Sequence, residues 1–289
     1  MTRVLVTGGS GLLGRTLLRV LAQTRSDWLV VAPTRSEMDV TDAKAVQRLV
    51  LDLKPNVIVH LAAMTAVDRC ETEEDSARRV NVEGTRHVVR TAEAVDARVI
   101  LVSTDYVFDG KKEGAYDETD APVGSTGVYG TTKREAEAIV SSSVARSLIV
   151  RIAWLYGQGG PDFVHAIARV AQAHPEGIRV VDDQRGSPTS TRTVARGVVS
   201  LIERDDVDGI VHLTTQGVVS RYEWAKAIVN QLGLNVPVIP CTSADYGAPA
   251  PRPANSHLST ARWHRLGLPP LPMWDAELTA FMDDEFETV

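Results

Sequence analysis

The stretch VTGGSGLLGRTLL (residues 6–18) joins a short β-branched run to an apolar helical pattern. Gly8, Gly11 and Gly14 fall in the turn between them. Glycines at such a junction allow a tight turn, a close approach of the backbone to a pyrophosphate and close helix–sheet packing. The spacing is G-x-x-G-x-x-G rather than G-x-G-x-x-G, and the alternative is a glycine-rich turn without a ligand. The position at the first strand–helix junction favours dinucleotide binding.

Around this turn, apolar runs alternate with helical patterns. Strands are predicted at 3–7, 28–32, 56–63, 98–103 and 147–154, and helices at 12–23, 42–53, 76–95 and 128–140. Strands that are apolar throughout, rather than alternating, are typical of a parallel sheet with helices on both faces. We therefore predict a Rossmann-type α/β fold, with residues 1–154 as the NAD(P)-binding domain.

The pattern loosens beyond about residue 155. Helices are predicted at 162–173, 193–204 and 221–232, and short strands at 178–181, 209–214 and 236–239. Residues 155–289 are predicted to form a smaller, mainly substrate-binding α/β region that is interleaved with the first domain.

Composition narrows the function classes. The net charge of −6 argues against nucleic-acid binding as the main role. No apolar run approaches the roughly 20 residues that a membrane span needs. The first residues lead directly into a strand without a signal-peptide pattern, so a cytoplasmic location is expected. The two cysteines imply no disulfide framework, and the seven histidines show no metal-binding spacing.

The end of the second strand bears on the cofactor. It reads VVAPTR (30–35), without the carboxylate that binds the adenosine ribose in NAD-dependent folds. Arg35 can meet a 2′-phosphate, and the alternative is a solvated surface arginine. NADPH is therefore favoured, with NADH left open. Asp39 is a candidate neighbour of the adenine ring, and Asp39 or Thr41 a candidate helix N-cap.

Tyr129 and Lys133 lie four residues apart in a predicted helix and so share one face. A nearby ammonium lowers the pKa of a tyrosine, which allows proton exchange with a carbonyl or an alcohol. Lys133 can also hold the nicotinamide ribose. The pattern alone is weak, because YEWAK supplies a second copy at Tyr222 and Lys226, which we interpret as structural.

A cluster of polar side chains follows the fourth predicted strand in ILVSTDYVFDG (100–110). Ligands of parallel sheets bind beyond the carboxyl ends of the strands. A hydroxyl of Ser103 or Thr104 can therefore bond the carbonyl that Tyr129 protonates. The alternative is a Ser/Thr/Asp turn without a ligand.

With these motifs in place, the sequence resembles the dTDP-4-dehydrorhamnose reductase family of extended short-chain dehydrogenase/reductases. The matching segments include HLAAMTAVDRCE (60–71), STDYVFDG (103–110), VYGTTKREAE (128–137), VVDDQRGSPT (180–189) and RPANSHL (252–258). The resemblance implies NADPH-dependent reduction of the 4-keto group of a nucleotide-linked 6-deoxyhexose, with dTDP-4-dehydro-L-rhamnose as the specific substrate.

The resemblance and the motifs together assign the site residues. The catalytic residues are Thr104, Tyr129 and Lys133. The cofactor-binding residues are Gly8, Gly11, Leu12, Leu13, Gly14, Arg35, Asp39, Val40, Ala62, Ala63, Met64, Tyr129 and Lys133. The substrate-binding residues are Thr65, Val67, Ser103, Thr104, Asp105 and Trp154. For Trp154 the alternative is a core aromatic that closes a strand.

Two departures from the family pattern matter. VGSTGVYG (123–130) stands where the family has P-x-N-x-Y-G, which leaves the hexose open. GRTLL (14–18) lacks the acid that family members use in a magnesium-linked dimer, so we predict no metal site, while a homodimer stays open.

Three alternative functions remain at this stage. The first is a reductase of another nucleotide-linked 4-keto sugar. The second is an epimerase or dehydratase with bound NAD, but dehydratases of the family carry an acid where Tyr106 stands. The third is a non-catalytic NADP-binding regulatory subunit, which would not need both Tyr129 and Lys133.

Overall fold

The computed structural model describes residues 1–143 and 145–286. Its strands are β1 (Arg3–Thr7), β2 (Leu29–Val31), β3 (Val57–His60), β4 (Arg98–Thr104), β5 (Ser147–Ile152), β6 (Leu155–Tyr156), β7 (Ile178–Val181), β8 (Arg185–Gly186), β9 (Thr189–Ser190), β10 (Gly209–His212), β11 (Val219–Ser220), β12 (Val238–Cys241) and β13 (Asn255–Ser256). Its α-helices are α1 (Leu12–Thr24), α2 (Ala43–Leu53), α3 (Val67–Thr72), α4 (Glu74–Arg78), α5 (Gly84–Ala94), α6 (Gly127–Ser141), α7 (Phe163–Ala173), α8 (Thr191–Ile202), α9 (Arg221–Gln231), α10 (Ser243–Tyr246), α11 (Ala261–Arg265) and α12 (Trp274–Phe286).

Six parallel strands form the central sheet, in the order β10-β5-β4-β3-β1-β2. After β2 the chain returns to the other side of β1, so the strand order reverses between β1 and β3. Ligands of such sheets bind at this reversal, beyond the carboxyl ends of the strands. The predicted Rossmann-type fold is confirmed.

Both faces of the sheet are apolar and covered by helices. Val4 and Val6 of β1 pack in one core with α1 and α8. Leu5 points to the opposite core, which α2, α5 and α6 complete. Burial on both faces explains why the strands read as continuous apolar runs.

The region after residue 155 contributes to the same sheet. β10 pairs with β5 at the sheet edge, and α8 packs against α1. The remaining short strands form three small sheets, namely β11-β8-β13, β12-β7 and β6-β9. A separate core that includes Trp154, Trp224 and Phe281 joins these sheets to α7, α9 and α12. Within residues 1–143 and 145–286, no helix has the length and apolarity needed to cross a membrane.

Besides shifts of a few residues at the ends of elements, two local predictions differ from the structure. The single helix predicted at 76–95 consists of α4, a π-helical turn at Arg79–Glu83 and α5. The N-cap of α2 is Asp42, whose Oδ1 accepts from the backbone N–H groups of Lys44 and Ala45 at 2.9 and 3.2 Å. The prediction of Asp39 or Thr41 as this cap is wrong, because Asp39 accepts from the N–H and hydroxyl of Thr41 instead.

Candidate active site

A cavity of about 1340 Å³ follows the carboxyl ends of the central strands and extends towards α9 and α10. Pockets for one small ligand measure roughly 300–1,000 Å³, so this cavity has room for a cofactor and a second molecule. The predicted site residues that line it are Gly8, Gly11, Leu12, Leu13, Gly14, Ala63, Thr65, Val67, Ser103, Thr104, Asp105, Tyr129, Lys133 and Trp154. Arg35, Asp39, Val40, Ala62 and Met64 lie outside this lining.

The glycine turn fits a pyrophosphate on steric grounds. Gly8 has a φ of +70°, and a Cβ there would lie 2.7 Å from the backbone N of Ala62. A Cβ on Gly14 would lie 2.3 Å from the carbonyl oxygen of Gly8. The N-cap of α1, Gly11, offers no side-chain acceptor, so the first N–H groups of the helix remain available to an anion.

Thr7 and His60 fix the ends of β1 and β3 around this turn. The hydroxyl of Thr7 accepts from the N–H groups of Leu61 and Ala62 at 3.2 and 3.1 Å, and lies 2.7 Å from Nδ1 of His60. Nε2 of His60 lies 3.0 Å from the hydroxyl of Thr85. Burial lowers the pKa of His60 to about 3, so the ring is neutral and acts as a structural connection.

Asn81 connects the segment after β3 to α6, and sequence reasoning missed it. Its Oδ1 accepts from the N–H of Met64 at 2.7 Å, and its Nδ2 donates to the carbonyl of Met64 at 3.1 Å and to the hydroxyl of Thr132 at 3.0 Å. Asn81 lies in the π-helical turn, a feature that often marks functional sites. The available signal in the sequence was a polar residue between two valines in VNVEGT (80–85).

The surface near β2 places Arg35 beside Asp39. Nε of Arg35 donates to Oδ2 of Asp39 at 2.9 Å, and the arginine side chain is 80% exposed. Thr34 donates its N–H and hydroxyl to Oε2 of Glu37. Such an exposed ion pair is weak and can rearrange, so the contact of Arg35 with a 2′-phosphate remains a proposal.

Tyr129 and Lys133 both line the cavity, and their side chains are buried. Nζ of Lys133 donates to the carbonyl of Val102 at 2.8 Å. Burial lowers the pKa of Lys133 to about 8, and the charge of Glu137 opposes this shift. Burial raises the pKa of Tyr129, and a hydrogen bond with Thr104 opposes this shift. This direction is opposite to the lowering expected from a nearby ammonium, because burial outweighs the interactions that favour the phenolate.

Thr104 and Asp105 form one hydrogen-bonded unit. The hydroxyl of Thr104 donates to Oδ1 of Asp105 at 2.9 Å. Oδ2 of Asp105 accepts from the hydroxyl of Ser256, which belongs to β13. Burial raises the pKa of the Asp105 carboxyl. The hydroxyl of Ser103 is buried and has no hydrogen-bond partner among the described residues.

Trp154 lines the same cavity as these hydroxyls. It is 8% exposed and has a φ of +47°, a strained conformation of the kind that clusters at functional sites. A Cβ on Gly186 would lie 2.6 Å from its ring, so the ring needs a glycine there. The carbon Cζ of Arg221 lies 3.7 Å from the centroid of the Trp154 ring, and Arg221 also lines the cavity. Trp154 thus lies between β5 and β6, packs in a hydrophobic core and lines the cavity.

A second ion pair borders the cavity near Val67. Nη2 of Arg252 donates to both carboxylate oxygens of Asp68 at 3.0 Å, and Nη1 donates to the carbonyl of Ala250. Sequence reasoning missed Arg221, Arg252 and Asp68, because only the folded chain brings their segments together.

The second Tyr-x-x-x-Lys pair lies outside the lining of this cavity. Nζ of Lys226 lies 5.3 Å from the ring centroid of Tyr222, on the surface of α9. This placement is compatible with the structural interpretation.

Comparisons with known proteins agree with the fold. The family model described as the RmlD substrate binding domain matches residues 1–286. A dTDP-4-dehydrorhamnose reductase from Streptomyces griseus is 42% identical over 284 residues, which cover 96% of this chain and 92% of the relative. The crystal structure of dTDP-4-dehydrorhamnose reductase from Bacillus anthracis in complex with NADP is 33% identical, covers 98% of this chain and 100% of that chain, and gives a TM-score of 0.93.

A third relative has a different named activity. A probable dTDP-4,6-dihydroxy-2-methyloxan-3-one 4-ketoreductase from Streptomyces antibioticus is 37% identical over 284 residues, which cover 98% of this chain and 95% of the relative. The family resemblance drawn from the motifs is confirmed.

Proposed function

The chain belongs to the dTDP-4-dehydrorhamnose reductase family, and from this premise we propose that it reduces the 4-keto group of dTDP-4-dehydro-L-rhamnose to give dTDP-L-rhamnose, with NADPH as the reductant. The observation that carries the proposal is the convergence of Thr104, Tyr129 and Lys133 in a cavity with room for two molecules. Fold similarity alone would not indicate the chemistry.

The residues of the chain fit NADPH. Its pyrophosphate would lie on the glycine turn and the N-terminus of α1, and Lys133 would hold the nicotinamide ribose. When bound, NADPH supplies the hydride that adds to C4 of the sugar. β2 ends without a carboxylate that would repel a 2′-phosphate, which supports NADPH over NADH. We propose a cytoplasmic site of action, because NADPH and nucleotide sugars are held there.

Tyr129 would supply the proton that the reduced carbonyl oxygen requires. Burial raises its pKa, so the phenol is protonated at neutral pH but releases its proton less readily without a neighbouring positive charge. The ammonium of Lys133 would then stabilise the phenolate, and the hydroxyl of Thr104 would orient the carbonyl oxygen. In the structure the single proton of the Thr104 hydroxyl is donated to Asp105, so this hydroxyl would turn from Asp105 to the carbonyl oxygen when the sugar binds.

One observation favours a second candidate within the same chemistry. The relative from Streptomyces antibioticus is named as a 4-ketoreductase of another dTDP sugar, and residues 123–127 before Tyr129 depart from the usual family pattern. This candidate is a reductase of a different dTDP-4-keto hexose.

An assay of NADPH consumption separates these functions. dTDP-4-dehydro-L-rhamnose and other dTDP-4-keto hexoses are incubated with NADPH or NADH, and the product configuration at C4 is read by NMR. Stoichiometric oxidation of NADPH with the rhamnose precursor supports the first proposal. Oxidation with another hexose only supports the second, and conversion without net cofactor oxidation indicates an epimerase and contradicts both.

A further inference from the structure

Arg221 is a cation in the cavity that the proposed chemistry does not use. It is the first residue of α9, and its Cζ lies 3.7 Å from the ring centroid of Trp154 and 4.9 Å from that of Phe163. Its guanidinium donates no hydrogen bond and forms no ion pair within the described part of the chain. Stacking on an aromatic ring occupies the flat face of a guanidinium and leaves the N–H groups at its edge available.

The surrounding charges leave Arg221 without a carboxylate partner. Arg252, the neighbouring arginine of the cavity, is already paired with both oxygens of Asp68. The carboxyl of Asp105 accepts hydrogen bonds from Thr104 and Ser256. Burial lowers the pKa of Arg221 to about 10, which still leaves it charged at neutral pH. An anion is the ligand that would satisfy such a group.

The position of Arg221 in the cavity indicates which anion it would bind. Arg221 lines the same cavity as Thr104, Asp105 and Tyr106 at the end of β4. A hexose held with its carbonyl at Thr104 and Tyr129 carries its phosphate on the far side of a six-membered ring. The face of Arg221 is fixed by Trp154, so its edge can meet two phosphate oxygens at once.

We propose that Arg221 binds the diphosphate of the sugar nucleotide through the N–H edge of its stacked guanidinium. The inference rests on the proposed function, because it assumes a nucleoside diphosphate sugar as the ligand. The contact anchors a part of the substrate that does not react, and thereby selects nucleotide-linked sugars over free ones.

Calorimetric titration with dTDP and with thymidine tests the proposal. Arg221→Met keeps an apolar stem over Trp154 but removes the charge. Its affinity for dTDP is expected to fall roughly 10- to 100-fold, as for a lost charge-assisted hydrogen bond. Its affinity for thymidine and NADPH is expected to remain that of the wild type. Arg221→Lys keeps the charge without the planar fork and is expected to lie between the two.

Arg185→Met is the matched control. Arg185 lies outside the cavity lining, is 58% exposed and has its Nη2 3.9 Å from Glu223. The control removes the same charge from the same region and is expected to bind dTDP as the wild type does. Thermal unfolding of each variant verifies that the fold is retained.

The outcomes separate this inference from the proposed function. Equal dTDP affinity in the wild type and Arg221→Met overturns the inference, whether or not the enzyme reduces its sugar. Equal losses for dTDP and thymidine also overturn it, since they indicate a packing role through Trp154. A selective loss for dTDP supports the inference even when no 4-keto sugar is reduced. If the wild type binds none of dTDP, UDP and GDP, the proposal of a diphosphate site is overturned.

Discussion

The chain contains two Tyr-x-x-x-Lys pairs on two helices, and their surroundings differ. On α6, Tyr129 and Lys133 are 8% and 4% exposed and lie at the end of β4. On α9, Lys226 is exposed and lies over the ring of its own partner, Tyr222. In each pair, the four-residue spacing places the tyrosine and the lysine on the same face of their helix. The chemistry depends on what that face meets, which in the first case is a strand end and a cavity.

The next position along each face extends the comparison. Four residues beyond Lys133 lies Glu137, which is buried and paired with Arg151 of β5 at 2.9 and 2.7 Å. Four residues beyond Lys226 lies Asn230, which is exposed. The first face is thus attached to the sheet by a buried ion pair, and Glu137 supports the charge of Lys133 against burial.

Tyr129→Phe is expected to have the largest effect. It removes the proton donor and keeps the ring, so kcat should fall roughly 10²- to 10⁴-fold while NADPH affinity stays within about twofold. Tyr222→Phe should leave kcat unchanged. Steady-state kinetics and fluorescence titration of NADPH measure both. A Tyr129→Phe enzyme that keeps more than about a tenth of the wild-type kcat would contradict the general-acid role.

Glu137→Gln should mainly change stability. It leaves the guanidinium of Arg151 buried without a charged partner, at a cost of about 3–5 kcal/mol in the free energy of unfolding. Asn230→Ala, at the equivalent position of α9, should cost less than about 0.5 kcal/mol. Urea denaturation followed by circular dichroism compares them. Equal stability of the two variants would show that the buried pair does not anchor α6.

The parts of the site that sequence reasoning found are those encoded locally. The glycine turn and the Tyr129–Lys133 pair each lie within a few consecutive residues. The apolar runs around them predict the order of strands and helices along the chain. The π-helical turn was missed because helical periodicity continues through it. The two-residue strands β8, β9, β11 and β13 are too short to produce a periodic signal.

The parts that were missed depend on contacts between distant segments. Ser256 bonds Asp105 across 151 positions, and Arg252 bonds Asp68 across 184. Arg221 gave no signal as a first helical residue, because only the folded chain stacks it on Trp154. The end of the cavity that would hold the cofactor was therefore predictable, whereas the end near α9 was not.

Lys133→Met tests the charge on α6 through pH. The pKa of Lys133 is lowered to about 8, so its ammonium is present below that pH and is lost as the pH rises through it. Wild-type affinity for NADPH should therefore fall between about pH 7 and 9. Lys133→Met should bind NADPH roughly tenfold more weakly at pH 7, with no step near pH 8.

Lys226→Met is the control for this experiment and should keep both the affinity and the pH step. His60 does not titrate in this range, because burial holds its pKa at about 3. The pKa of Tyr129 is raised and so lies above the range. A pH step that survives in Lys133→Met would assign it to another group and contradict the role of Lys133.

Thr104→Val is expected to have the smallest effect, and it tests the one partner that distinguishes the two tyrosines most directly. Tyr129 and Thr104 line the same cavity, whereas Tyr222 lies outside that lining. Removal of one neutral hydrogen bond to the carbonyl oxygen should lower kcat about 2- to 10-fold. Thr104→Ser, which retains the hydroxyl, should recover most of this loss. Valine also leaves Oδ1 of Asp105 without its donor, so the unfolding of each variant is measured in parallel. If the serine variant loses as much kcat as the valine variant, the packing of the Thr104 methyl group supports the reaction and its hydroxyl does not.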